Sequence, residues 1–169
     1  MSSNAIADTY LAYASTKLGQ SQKTIAQCCD KLSEEQMWHR AGDYENSVAN
    51  LLLHLAGNMR QWILHGIDGQ PDVRERDAEF SLDPTFTSAE ARDRFNTTLA
   101  ESARVIAAVS PDRLLTIIDP QPTGTWRNAT ILEAIFKVVS HVDHHAGQII
   151  LLTKQLVATD LDLTMPRKR

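Results

Sequence analysis

The sequence predicts an all-α fold, a four-helix bundle with long connections, in a single domain over residues 1–169. Three observations predict it. Four long stretches carry apolar residues at the three- and four-residue spacing of one helix face. Capping residues stand where several of those stretches begin. No stretch alternates with the two-residue period of a half-buried strand, apart from a short candidate for extended chain at Leu114-Leu115-Thr116-Ile117-Ile118. Four helices with one apolar stripe each bury those stripes most simply against one another.

The first helix is expected from about Ile6 to Leu32, where Leu11, Leu18, Ile25 and Leu32 recur at heptad spacing. Gly19 inside it weakens the propensity. Ser33-Glu34-Glu35-Gln36 has capping-box spacing and precedes the apolar pair Met37-Trp38. A second helix is expected to start at Asn46 as N-cap and to run to about Gly66, with Val48, Leu51, Leu52, Leu55, Met59, Trp62 and Ile63 facing inward. A polar connection around Pro71 follows. Thr87-Ser88-Ala89-Glu90 is a capping box that opens a third helix, ending before Pro111. Proline and glycine mark Pro120-Gln121-Pro122-Thr123-Gly124 as a loop. Thr130-Ile131-Leu132-Glu133 then caps a fourth helix that continues to about Val157. The connections around Pro71 and Pro120 are each roughly 20 residues, too long for tight hairpins. Loops of that length at a bundle end are where a substrate entrance would be built.

Composition narrows the function classes. A chain of 169 residues can bury a full core without disulfides. The formal net charge of -4 comes without a basic stripe or an aromatic stacking array, which argues against nucleic-acid binding. The basic run Arg167-Lys168-Arg169 reads as a solvated tail. No apolar run approaches the roughly 18 residues of a membrane span. The start, Met1-Ser2-Ser3-Asn4-Ala5-Ile6, lacks the features of a secretory leader, so a cytoplasmic location is expected. Cys28 and Cys29 are neighbours, poorly placed for a disulfide between elements, and fit packing roles in a reducing compartment.

The histidines carry the functional information. His141 and His145, in Ser140-His141-Val142-Asp143-His144-His145, stand at i and i+4 and leave one helix face a turn apart. On the fourth helix the core stripe is Ile135, Val138, Val142, Ala146, Ile149 and Leu156, and the pair falls roughly 50–90° from its centre. His144 projects further round, and Asp143 points nearly opposite the pair. His54 lies on the flank of the second helix's stripe, roughly 120° from its centre, with Asn58 one turn on. If those two helices are neighbours, three imidazoles can converge on one ion with a coordination position left open. Spacing alone leaves the point open, because such histidines also serve as hydrogen-bonded boundary residues. No glutamate separates His141 from His145, so the zinc-protease H-E-x-x-H arrangement is absent. His39 and His65, near helix ends, read as surface or capping residues.

Asn50-Leu51-Leu52-Leu53-His54-Leu55-Ala56-Gly57-Asn58-Met59-Arg60-Gln61-Trp62-Ile63 resembles the ligand helix of the DinB-like (damage-inducible) family, related to the YfiT-like metalloenzymes. His141-x3-His145 followed by Gly147-Gln148-Ile149 is similar to that family's last-helix motif, and the likeness extends to Arg76-Asp77-Ala78-Glu79-Phe80. The resemblance implies an up-down-down-up bundle, a divalent metal (zinc or nickel) on His54, His141 and His145, and a homodimer. It also implies a small-molecule substrate, with a low-molecular-weight thiol as co-substrate of a transferase. Metal-assisted hydrolysis and a non-catalytic, metal-stabilised dimeric stress-response or binding protein are the alternatives. Asn58, Gln148 and Glu79 are candidates for supporting the ligands or contacting substrate.

Overall fold

The computed structural model describes residues 3–83, 85–119 and 128–163. Among them the chain forms five α-helices: α1 (Ser3–Cys29), α2 (Glu34–Trp38), α3 (Val48–Met59), α4 (Ser88–Ala107) and α5 (Ile131–Val157). α2 is a single short turn, so the bundle proper consists of α1, α3, α4 and α5. Short 3-10 turns at Asp77–Phe80 and Pro111–Arg113 punctuate the connections.

Caps set the helix starts. Reciprocal side-chain and backbone bonds of a capping box occur at Ser33/Gln36, Thr87/Glu90 and Thr130/Glu133, as the sequence predicts. A fourth box was not anticipated. Ser47, rather than Asn46, is the N-cap of α3, and Asn50 closes the box, because an amide three residues on can return the bond as glutamine does. α1 runs through Gly19 without a break and ends at Cys29, short of Leu32.

The second predicted helix changes form partway. Beyond Met59 the chain continues as a π-helical stretch, Arg60–His65, with Gly66 N bonded to Gln61 O (3.1 Å) and Asp68 N to Ile63 O (3.1 Å). Such wide turns are rare and are frequent at functional sites. Of the anticipated extended piece, one antiparallel bridge remains, Ile117 with Thr130, reinforced by Ile118 N to Ala129 O at 3.0 Å. This tethers the start of α5. The predicted loop Pro120–Gly124 and the basic tail lie outside the described residues.

α3 packs against α4 and α5, and α1 packs against the same two helices. α1 and α5 run in the same direction: Tyr10 Oη donates to Leu132 O near both helix starts (2.6 Å), and Lys17 pairs with Asp143 midway (2.8 Å). α4 runs against α1, with Gln22 Nε2 donating to Asn96 Oδ1 (3.0 Å) and Arg92 pairing with Asp30 (2.5 Å). α3 runs against α5, so that His54 meets His141 while Trp62, further along, lies under Lys137.

The core draws on every helix, with Leu18, Ile25, Leu52, Leu55, Ile63, Phe95, Ile106, Ile135, Val138 and Val142 all buried. Every residue of the predicted α3 stripe is buried, and so are Ala49, Leu53, His54 and Asn58 beside it. α3 is thus covered on nearly all sides, and its polar residues require partners. On α5 the stripe holds from Ile135 to Ile149, but Leu156 is only half-buried. Buried Thr153 stands in its place, with its hydroxyl on Ile149 O (2.8 Å). Cys28 and Cys29 are buried free thiols, and burial pushes Cys29 up to about 12, which makes it a packing residue rather than a nucleophile. No described helix is long and apolar enough to cross a membrane.

Candidate metal centre

The antiparallel packing of α3 on α5 brings His54, His141 and His145 together, with one ring nitrogen from each lying within 4.8 Å of the others. His54 Nε2 and His141 Nε2 are 2.9 Å apart. Two nitrogens bound tetrahedrally to zinc at 2.0–2.1 Å stand roughly 3.3 Å apart, so the pair is at ligand spacing. The rings of His141 and His145 are nearly perpendicular at 4.4 Å, and the His54 ring lies 5.0 and 5.2 Å from them. Among the described residues the cluster contains these three side chains and neither a carboxylate nor a thiol.

The orientation of His54 is fixed from behind. Its Nδ1–H donates to Glu79 Oε2 (2.9 Å), which turns Nε2 toward His141. Glu79 is buried in the 3-10 turn Asp77–Phe80, where burial alone would raise its pKa. The bidentate bond from Arg74 (Nε–Oε1 2.7 Å, Nη2–Oε2 2.9 Å) and the His54 bond outweigh burial, and its carboxyl is held below the usual range. An ionised carboxylate can only accept, which assigns the His54 tautomer. Arg74 Nη1 reaches Gln61 Oε1 (3.0 Å), and Gln61 Nε2 reaches Asp72 Oδ2 (3.0 Å). The π-helical stretch therefore supplies a link in the chain Asp72–Gln61–Arg74–Glu79–His54.

Two further features seat Glu79. Asn50 Nδ2 donates to Glu79 O (2.9 Å), while Arg40 bonds Asn50 Oδ1 (2.6 Å), Phe80 O (3.2 Å) and Ser81 O (2.5 Å), clamping the 3-10 turn onto α3. Gly57 then allows close approach: a Cβ there would lie 1.9 Å from Glu79 Oε1 and 3.1 Å from Arg74 Nε. On α5, His145 Nδ1–H donates to Gln148 Oε1 (2.5 Å), leaving Nε2 for the cluster. Burial first, then the charges of His145, His54 and Lys137, lower His141 to about 3. Burial chiefly lowers His145, against the Gln148 bond. Both rings are unprotonated at neutral pH, with lone pairs available.

The histidines form one wall of a cleft of about 690 Å3 that is also lined by Asn58, Gln61, Trp62, Arg74, Arg76, Lys137, Ser140 and His144. Asn58 Oδ1 is buried and has no hydrogen-bond partner among the described residues. His144 lines the cleft but stays outside the cluster, and Asp143 points away to Lys17 and Ser21 (3.2 Å). His39 sits at the C-cap of α2, and His65 Nδ1 bonds Gln70 O (2.6 Å). The structure therefore brings together all three predicted ligands, with Glu79 behind one and Gln148 behind another. Sequence reasoning missed Arg40, Asn50 and Arg74. Asn50, a polar residue opening an otherwise apolar helix, was the available signal, whereas Arg40 and Arg74 lie in polar stretches that carry none.

A helical bundle with a three-histidine cluster on the wall of a cleft defines the class of this protein as one that could hold a metal ion between two helices. The chain belongs to the family described as Protein of unknown function (DUF1572), whose sequence model matches residues 5–169. No curated protein matches the chain.

Proposed function

We propose that this protein binds a divalent metal, zinc or nickel, through His54, His141 and His145, and is a metal-dependent enzyme acting on a small molecule. The observation that carries the reading is the convergence of three imidazoles from α3 and α5 at the wall of a solvent-reached cleft, with no fourth histidine, cysteine or carboxylate in the cluster among the described residues. Structural zinc sites are closed by four protein ligands, whereas catalytic sites keep a position for water or substrate. The donor set suits zinc or nickel, since imidazole serves both and no thiolate is present. A divalent ion held there would act as a Lewis acid and lower the pKa of a thiol or water.

The chain's own residues have definable tasks. Glu79 orients His54 and increases its basicity, Gln148 orients His145, and Arg74 keeps Glu79 ionised and out of the cleft. Trp62 and Asn58 form part of the cleft lining. The resemblance to the DinB-like family favours a transferase using a low-molecular-weight thiol, and a homodimer, over the hydrolytic alternative. Two buried free thiols fit a cytoplasmic, reducing location.

Elemental analysis of untagged, as-purified protein tests the site: about one zinc or nickel per chain is expected, lost in both His54→Ala and His141→Ala. Metal-free protein whose affinity for added zinc is unchanged by His54→Ala would overturn the reading. Thiol transfer is tested by incubating the zinc-loaded chain with glutathione, cysteine or a glycosylated cysteine thiol and an electrophilic acceptor.

A further inference from the structure

A second cavity, of about 490 Å3, lies beside the metal cleft on the neighbouring face of α3. Leu53, Ala56, Gly57 and Arg60 recur at i, i+3, i+4 and i+7 along α3 and the first residue beyond it, and all four line this cavity. His54, Asn58 and Gln61 line the cleft instead. Val73, Ala78 and Phe86 add apolar wall, and Arg94 and Thr98 contribute from α4. Arg74 lines both spaces, so its ion pair with Glu79 is the partition between them. Small-molecule sites have this character: a few hundred Å3, mostly apolar, with a small number of polar groups that fix orientation.

The charges of the lining are unequally satisfied. Arg74 and Glu79 neutralise each other. Arg60 is part-buried, yet among the described residues it has no ion pair and its side chain has no hydrogen bond. Its Nε is enclosed, so its two terminal nitrogens are the donors a ligand would meet. Arg94 lies with Cζ 3.9 Å from the Phe86 ring centroid. Glu90, one turn back from it, is taken up by the Thr87 cap. Glu75 is the one carboxylate of the lining outside an ion pair among the described residues, and it is exposed. A guanidinium set against apolar wall interacts more strongly with an anion than one in open water, and its planar fork suits two oxygens.

We infer that this second cavity binds a small organic acid with an apolar body, its oxyanion on the terminal nitrogens of Arg60 beside Arg94 and its body against Leu53, Ala56 and Phe86. The site needs no metal and shares no ligand residue with the histidine cluster. Carboxylate and phosphate monoester have the required head chemistry, and a neutral amide of the same shape does not.

The test is calorimetric titration of the metal-free full chain with phenylacetate, phenylacetamide, acetate and phenyl phosphate. Phenylacetate is expected to bind at least tenfold more tightly than phenylacetamide, which lacks the charge, and than acetate, which lacks the body. Arg60→Gln should weaken phenylacetate roughly tenfold, and exposed Arg94→Gln about threefold. Glu75→Gln, which removes a like charge from the lining, should tighten it. Thr98→Trp fills the cavity from α4 and should remove binding while helix content by circular dichroism stays unchanged. Arg76→Gln and His141→Ala alter only the metal cleft and should leave phenylacetate affinity as in wild type. Tighter binding of phenyl phosphate than of phenylacetate supports the inference and assigns the head group as phosphoryl. Equal binding of acid and amide, indifference to Arg60→Gln, weaker binding in Glu75→Gln, or loss of binding in His141→Ala overturns it. Zinc uptake by a chain that binds none of these acids would sink this inference and leave the metal reading standing. Acid binding lost in Arg60→Gln by a chain that takes up no zinc would do the opposite.

Discussion

Gly57→Ala separates two opposite expectations. In an exposed helix interior, alanine is favoured over glycine by about 1 kcal/mol, so helix propensity alone predicts a more stable protein. At this position a Cβ would stand 1.9 Å from Glu79 Oε1 and 2.8 Å from Glu79 Cδ, so the carboxylate would have to retreat by about 1 Å or more. It has little freedom to do so. Both oxygens are bonded to Arg74, Oε2 is bonded to His54, and the side chains of Arg74 and Glu79 are 7 % and 8 % exposed. Each hydrogen bond to a charged group contributes about 1.5–3 kcal/mol, so losing even one outweighs the propensity gain. Gly57→Ala is therefore expected to destabilise the metal-free protein by roughly 1–2 kcal/mol in urea denaturation. Freed from Glu79, His54 would lose its fixed tautomer, and zinc affinity, measured by competition with a chromophoric chelator, should fall about 10- to 100-fold. The control is the double variant with Glu79→Ala, where the clash is gone and Gly57→Ala should become neutral or stabilising. A single variant that melts higher and binds zinc as before would refute the reasoning, because Glu79 could not then be wedged between Gly57 and His54.

Three other outcomes test the scaffold. Arg40→Ala removes the clamp on Asn50, Phe80 O and Ser81 O, and should weaken zinc binding about tenfold while helix content by circular dichroism stays unchanged; an affinity equal to wild type would separate the clamp from the site. Leu55→Ala, at a fully buried position of α3, should cost about 2–5 kcal/mol in urea denaturation, and a value below 1 kcal/mol would mean that α3 is not enclosed as described. Glu133, the capping carboxylate of α5, is held below its ordinary value of 4.5 by the Thr130 backbone N–H first and the Thr130 hydroxyl next. Its folded pKa lies below its unfolded one, so its contribution is present above 4.5 and is lost as pH falls through the folded value. Glu133→Gln should thus melt lower than wild type at neutral pH, with the difference closing in acid; a pH-independent difference would rule out the charge as its origin.

Much of this architecture was legible because it rests on local, periodic signals. Capping boxes at Thr87 and Thr130 and the α3 stripe from Val48 to Ile63 depend on residues within a turn or two of each other. The i, i+4 pair His141 and His145 is local in the same sense, and His54 joined it through the resemblance and the adjacency of two helices. What escaped was set by contacts distant in sequence or by competing geometries. The π-helical stretch after Met59 differs from an α-helix by one residue per bonded ring, which hydrophobic periodicity cannot register over six residues. Asn46 and Ser47 are both good N-caps, and the choice fell to the one whose hydroxyl meets Asn50 N (3.1 Å). Arg40 and Arg74 act on Glu79 from separate connections, and such residues are indistinguishable in sequence from solvated charges.

The three ligands are not equally restrained, and the difference follows the chain's topology. His54 lies on the most enclosed helix, where an imidazole without a partner would be costly, and Glu79 answers that demand from a turn held by Arg74, Asn50 and Arg40. His145 is at the cleft rim and takes its partner, Gln148, from its own helix one turn on. Glu79 is buried and Gln148 is exposed, so the α3 half of the site is preorganised by tertiary structure and the α5 half by local geometry alone. Glu79→Gln should therefore reduce zinc affinity more than Gln148→Ala, because Gln148 exchanges its bond with water while Glu79 cannot. The substitution would also leave Arg74 without its anionic partner beside the histidines, adding repulsion of a cation to the loss of orientation. Equal effects from the two changes, read by the same chelator competition, would mean that the ion selects its ligands after folding rather than meeting a site already built.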